Sequence, residues 1–262
     1  DVTGVQTCAL PICGKVEAGE SAAAALAREL HEELGLDVET AYPWLTRDFD
    51  YEHAAVRLRF FRVVKWRGEP HGREQQQFTW QSVRNIGVAP VLPANGPILR
   101  ALALPQVYAI SCAMQIGRAR FMRELASALD RGLRLIQIRE KNMRPEELEG
   151  FTREVVAMAH ANDALVLLNG APDIARDCGA DGVHLDSAAL MSCNTRPDVA
   201  WCGASCHNAV ELERARALGL DFAVLGTLAA TPSHPGAPTL GWQRFAELIR
   251  DYALPVFALG GV

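Results

Sequence analysis

No apolar run in these 262 residues reaches the roughly 18 needed to cross a bilayer, so no membrane span is expected. A basic excess is also missing. The formal charge is −5 and the pI near 5.8, which argues against the cationic stripe of a duplex-binding protein. An acidic chain can still take anionic small molecules where a divalent cation bridges the two. Paired cysteines are lacking too. The seven cysteines (Cys8, Cys13, Cys112, Cys178, Cys193, Cys202, Cys206) are odd in number and scattered. Cys202 and Cys206 flank no second ligand pair, although His207 follows them. Buried thiols of a reducing cytosol are the favoured reading, and a cytoplasmic location the expectation. What the chain has is apolar bulk. At 49% hydrophobic content its length accommodates one large domain or two ordinary ones.

The opening, DVTGVQTCALPICGKVEAGE, has neither the basic n-region nor the small-x-small site of a signal peptide. Gly4 and Pro11 would both weaken it as a strand. Val2–Ile12 resembles the translation of a common sequencing-library adapter, with every residue matching in one frame. Residues 1–13 are therefore expected to be adapter-derived, against the alternative of a genuine N-terminal arm. Selected sequence is expected to begin near Cys13 or Gly14.

Beyond that point two patterns follow. Residues 14–104 contain one strong helical segment, then aromatic and β-branched runs, VRLRFFRVVKW and QFTWQSV, that read as strands. Pro105, in ALALPQ, marks a short linker. Residues 106–262 alternate short apolar runs (VYAIS, LIQIRE, ALVLLN, GVHL, VAWCGAS, FAVLGTL, PVFALGG) with amphipathic helices. Such alternation with buried-type strands means a parallel sheet. Seven steps in about 155 residues point to a (β/α) barrel rather than an open sheet. The chain stops directly after the seventh run, so the barrel is expected to be incomplete. The whole reads as an α/β protein of two domains.

Within the first domain, GKVEAGESAAAALARELHEELGL carries the chemistry. Ser21 is a suitable N-cap, and Gly35 stands where a helix C-terminus needs a left-handed residue. Leu26, Leu30 and Leu34 form an apolar stripe. Glu29, Glu32 and Glu33, at i, i+3 and i+4, place three carboxylates on one face beside it. A solvated acidic face is the commoner origin of such a pattern. Oxygen-only ligands of this kind otherwise suit a hard cation, Mg²⁺ or Mn²⁺.

Spacing decides between the two. Gly14, Glu20 and the run Arg28-Glu29-Leu30-His31-Glu32-Glu33-Leu34-Gly35-Leu36 match the Nudix box, G-x(5)-E-x(7)-REUxEExGU, at every constrained position. The segment resembles the Nudix hydrolases, which cleave nucleoside diphosphates linked to another group. Later stretches resemble the mutator-type branch, the 8-oxo-dGTP diphosphatases. That resemblance implies a truncated α/β/α sandwich, since the strands that normally precede the box are not seen. It implies a metal set of Gly14 (carbonyl), Glu29, Glu32, Glu33 and Glu74. Arg28 would orient a glutamate, and Asn95 in the PAN turn would read the oxidised purine edge, an amide being able to donate and accept at once.

The second domain resembles thiamine phosphate synthase and its relative thiazole tautomerase. QIREK matches the family's Q-x-R-E-K and implies Gln137, Arg139 and Lys141 at a strand end, where barrels place active sites. GASCH, TPSHPGAPTLG and ALGGV match later motifs. They imply ligand contacts by Ser205, Thr231, Ser233, Gly260 and Gly261, with Asn169 from the third strand. His207 occupies the position of the tautomerase's acid/base histidine. Three departures stand out. Gly170 and Ala189 replace the two aspartates that hold magnesium in the synthases, and His234 replaces a lysine. Coupling of a pyrimidine diphosphate is therefore not expected. A phosphorylated thiazole or pyrimidine ligand remains the expected partner of this domain, beside a nucleotide for the first, with neither nucleic acid nor membrane.

Overall fold

The structure, a computed structural model, describes residues 14–51, 54–73, 79–83, 85–88, 93–230 and 239–261. They fall into two compact units, one up to Ala103 with Asp251–Ala253, the other Leu104–Arg250 with the segment from Leu254.

The first unit begins with α1 (Ala22–Leu34). Ser21 caps it, accepting the Ala24 N–H at 3.1 Å on Oγ. Gly35 ends it at φ 69°, with its N–H returned to the last carbonyls. A side chain there would be strained, and a Cβ would also strike the His71 ring. Leu30, Leu34 and Leu36 are buried against Leu26, Val38 and Val63. The last two lie on β1 (Asp37–Tyr51) and β2 (Ala54–Arg67), an antiparallel pair with register shifts near Val38 and Pro43. A short 3₁₀ turn, Pro93–Asn95, leads into α2 (Gly96–Ala103). Its Ile98 and Ala101 pack on Leu45, with Trp44 and Phe60 beside them.

Among the described residues the sheet of this unit has two strands with two helices. One expectation changes here. The QFTWQSV run is not a strand where it is described. Trp80 is 75% exposed, and the only pairing is an isolated Ser82–Asn85 bridge. Gln81 Oε1 takes the Gly87 N–H at 2.7 Å, so this segment closes a local loop instead of extending. β-Propensity alone does not make a strand without a neighbour to pair with.

In the second unit every expected apolar run is a strand. These are β3 (Ala109–Ile110), β4 (Leu135–Ile138), β5 (Leu165–Leu168), β6 (Gly182–Leu185), β7 (Trp201–Cys206), β8 (Phe222–Gly226) and β9 (Val256–Leu259). They pair in parallel in sequence order. The helices between them are α3 (Ala113–Ile116), α4 (Arg118–Asp130), α5 (Pro145–His160), α6 (Pro172–Asp177), α7 (Ser187–Ser192), α8 (Ala209–Ala217) and α9 (Gly241–Ile249). Burial on both faces explains the continuous apolar strands, β6 and β8 being buried at every position.

The sheet curls. Tyr108, just before the first strand, meets Phe257 of the last at 5.6 Å between ring centroids, and both pack on Phe222 at 5.2 and 5.3 Å. Rings from the two ends of a flat seven-stranded sheet could not touch. The architecture is a curled parallel half-barrel. Close packing at its wall depends on glycine: a Cβ on Gly182 would lie 1.8 Å from the Trp201 carbonyl oxygen. At the strand starts, Asp181 accepts the Val166 N–H and Asp221 the Cys202 N–H, each at 2.7 Å. Each carboxylate thus ties one strand to the next. No helix among the described residues is long and apolar enough to cross a membrane.

Candidate functional site

The first unit gathers its charged groups around one guanidinium. Arg28 Nε and Nη2 form a fork on Glu20 at 3.1 Å each. Nη1 donates to Glu29 at 2.8 Å and to Glu32 at 3.1 Å, and Nη2 also reaches the Lys15 carbonyl at 3.0 Å. The Glu20 and Glu29 carboxylates beside it hold Arg28 protonated well above its ordinary range. In return the Arg28 hydrogen bond, helped by the Glu17 N–H, lowers the Glu20 carboxyl. Bidentate Arg–carboxylate pairing fixes direction as well as charge.

Glu29 lies directly against Gly14. A Cβ built on Gly14 would stand 1.8 Å from Glu29 Cδ. Only glycine leaves room for the carboxylate there. The carbonyl and carboxylate oxygens of Gly14, Glu29, Glu32 and Glu33 are hard donors and fit Mg²⁺ or Mn²⁺ in kind. Their arrangement is not a finished cage: among the described residues no three such ligands converge, and Glu29 and Glu32 face Arg28. Asn95 is 6% exposed at the turn before α2. Glu74 lies outside the described residues.

The second unit brings together side chains from neighbouring strands. Gln137, on β4 and 2% exposed, donates its Nε2 hydrogen to Tyr108 Oη at 3.2 Å. Tyr108 Oη meets His184 Nδ1 at 3.2 Å, and His184 Nε2 meets Ser205 Oγ at 2.9 Å. Asn169 Nδ2 donates to the His184 carbonyl at 3.0 Å. His184, on β6, is 1% exposed. Burial, with the Arg139 charge adding and Asp186 opposing, pushes its imidazole down to about 3. It is neutral at any ordinary pH. Burial likewise raises the Tyr108 phenol, so the network carries no charge of its own.

Around this core the strand ends differ in role. Glu140 is buried and accepts the Ala113 and Met114 N–H groups at 2.7 and 3.0 Å. Ser111 Oγ accepts the Arg139 N–H at 2.9 Å. Both hold the loop that presents Arg139, while Lys141 is exposed. His207 is exposed, and its Nδ1 lies 2.9 Å from Glu211 Oε2. Burial works to raise the Glu211 carboxyl, but hydrogen bonds from His207 and Ser187 outweigh it and leave it lowered. Gly260 and Gly261, at φ 100° and 70°, follow β9. Their close approach to Thr227 and Ala229 excludes a side chain at either position. Gly170 is exposed, and Ala189 sits on α7 with its N–H capped by Asp186 at 2.8 Å. Thr231, Ser233 and His234 lie outside the described residues. Cys202 and Cys206 are fully buried on β7, and burial raises each thiol to about 12.

Tyr108, His184, Glu211 and Glu140 were not singled out from sequence. His184 stands inside GVHL and could have been, since a histidine amid a buried strand needs polar partners. Tyr108 gives no such signal.

A parallel sheet whose strands alternate with helices, with polar groups gathered at the strand ends, is a barrel-type α/β unit. Residues 107–262 match the family model described as thiamine monophosphate synthase, and the chain belongs to that family. Residues 4–102 match the model of the NUDIX domain, a match that begins inside the adapter-like stretch. A thiamine-phosphate synthase of Methanoregula boonei is 34% identical over 152 residues, which are 56% of this chain and 70% of that protein. A thiamine-phosphate synthase of Thermosynechococcus vestitus is 34% identical over 146 residues, covering 55% of this chain and 42% of the relative. The match thus spans under half of that second protein. The solved thiamine phosphate pyrophosphorylase from Pyrococcus furiosus superposes with a TM-score of 0.52 at 24% identity, over 63% of this chain and 78% of that one. That is a likeness of fold. Both units therefore come from enzyme families, and both families act on small phosphorylated molecules.

Proposed function

We propose that the first unit is a divalent-metal-dependent nucleoside triphosphate pyrophosphohydrolase of the 8-oxo-dGTP diphosphatase type, joined to a barrel that binds a phosphorylated thiazole or pyrimidine. The observation that carries this is the Arg28 cluster, with Glu29 seated in the space left by Gly14. Arg28 aims the Glu29 and Glu32 carboxylates, and Glu33 completes the face. When bound, Mg²⁺ or Mn²⁺ neutralises phosphate charge and acidifies the attacking water. Buried Asn95 supplies an amide able to donate and accept toward a purine edge.

The test is Glu33→Gln, which replaces a charged ligand by a neutral one. Mg²⁺-dependent release of pyrophosphate from 8-oxo-dGTP should fall by about 10²–10⁴-fold. Near-wild-type turnover in that variant would overturn the reading.

A second reading concerns the barrel, and the His207–Glu211 pair favours it. Glu211 holds Nδ1, leaving Nε2 of an exposed imidazole open to exchange a proton with a bound ligand. This suits tautomerisation of a thiazole phosphate better than coupling to a pyrimidine diphosphate. Gly170 and Ala189 provide no carboxylate for magnesium, and Asp186 is engaged in capping α7. The residues present do not fit a metal diphosphate, so no step through one is derived.

A further inference from the structure

Proton direction in the barrel's buried chain follows from its chemistry. An amide nitrogen can only donate, so the Gln137 Nε2 hydrogen occupies a lone pair of Tyr108 Oη. A phenol has one hydrogen of its own. Of the two groups bonded to Tyr108 Oη only His184 Nδ1 can accept, so the buried phenol hydrogen turns to it at 3.2 Å. Nδ1 must then be bare. A neutral imidazole carries one proton, which therefore sits on Nε2 and is donated to Ser205 Oγ at 2.9 Å. Ser205 is half-buried near the end of β7. Its oxygen is occupied from behind, so its own hydrogen is left for a group in front.

We infer that Tyr108 is a positioning residue that fixes the tautomer of His184 and thereby makes Ser205 a hydrogen-bond donor toward the barrel's ligand. The ligand atom that meets Ser205 is an unprotonated acceptor, such as a phosphoryl oxygen or a bare ring nitrogen. A donor at that place has only the remaining lone pair of Oγ and leaves the Ser205 hydrogen without a partner, so it is disfavoured. The ligand clause rests on the barrel being a binding site for a phosphorylated molecule. The tautomer clause does not.

The test is nitrogen NMR of the full chain with ¹⁵N-labelled histidine, ligand-free. The wild type should show His184 with its proton on Nε2. Tyr108→Phe, which removes the connecting hydroxyl, should populate both tautomers. In Gln137→Glu, titrated from neutral to alkaline pH, ionisation of the new carboxylate turns the Tyr108 hydrogen toward itself. The His184 proton should then move to Nδ1. A role in packing alone would move none of these. A proton on Nδ1 in the wild type, or one unchanged tautomer in all three proteins, overturns the inference. Orthophosphate, titrated by ³¹P NMR, tests the ligand clause. Its affinity should drop about tenfold in Ser205→Ala and recover in Ser205→Thr, the loss of one charge-assisted hydrogen bond. Equal affinity in Ser205→Ala overturns that clause. No phosphate binding by the wild type, with Nε2 protonated as expected, overturns the barrel's ligand reading and leaves the proton order standing.

Discussion

Arg28 and His184 each stand at the centre of a side-chain network, and the two networks are built from opposite materials. Around Arg28 every partner is a formal anion or a carbonyl, and the guanidinium is partly exposed, with 27% of its side chain accessible. Around His184 every partner is neutral and the ring is sealed from water. Charge at the surface is forgiving about distance, is screened by salt, and acts through a few neighbouring turns. A neutral chain in a low-dielectric interior must be satisfied at every link or it costs more than an apolar core. The first arrangement suits a site that exchanges a cation. The second suits one that must present a fixed pattern of donors.

The sharpest way to break this comparison is Gly14→Ala. The added methyl would coincide with the Glu29 carboxylate, which must swing away from Arg28. Turnover of 8-oxo-dGTP should fall by about three orders of magnitude. The melting temperature should hardly move, because the displaced group is the far end of a flexible side chain. A matched loss of both, seen by calorimetry beside the kinetics, would mean that the cluster is structural.

Acid should separate the networks next. His184 has its folded-state pKa depressed to about 3, below the unfolded value near 6.5. Between those limits the unfolded chain binds a proton that the folded one refuses. Stability is therefore complete above about pH 6.5 and falls by about 1.4 kcal/mol per pH unit on acidification toward 3. Urea unfolding of the full chain at a series of pH values measures the slope, and His184→Asn should flatten it. A slope untouched by that change would place the acid-sensitive group elsewhere.

The smallest effect expected is at the helix start. Ser21→Ala removes the cap on the Ala24 N–H and should cost about 1 kcal/mol, read as a shift in the urea midpoint. It should leave the pH slope unchanged.

These differences also explain what could be read in advance. The ends of α1 and its carboxylate face depend on local spacing, so Ser21, Gly35 and a fork from Arg28 to a glutamate were legible, though not that the glutamate is Glu20. The seven strands of the half-barrel were legible as apolar runs between amphipathic helices. Two kinds of feature were not. QFTWQSV has the composition of a strand but, among its described residues, only the isolated Ser82–Asn85 bridge and no partner strand, and pairing is a property of the fold. Tyr108 and His184 are 76 residues apart, and only the curl of the sheet brings them together. Gln137 and Ser205 were picked out as ligand contacts; of the two residues linking them, His184 left a signal in GVHL that went unused, and Tyr108 left none because its meaning lies in the chain of hydrogen bonds.

The Arg28 cluster has one consequence best expressed as charge balance. Three carboxylates, from Glu20, Glu29 and Glu32, surround a single guanidinium. The guanidinium cancels one of them and leaves a deficit of two positive charges. Glu33, on the same helix face, deepens that deficit. The cluster is a local excess of negative charge that draws multivalent cations more strongly than monovalent ones.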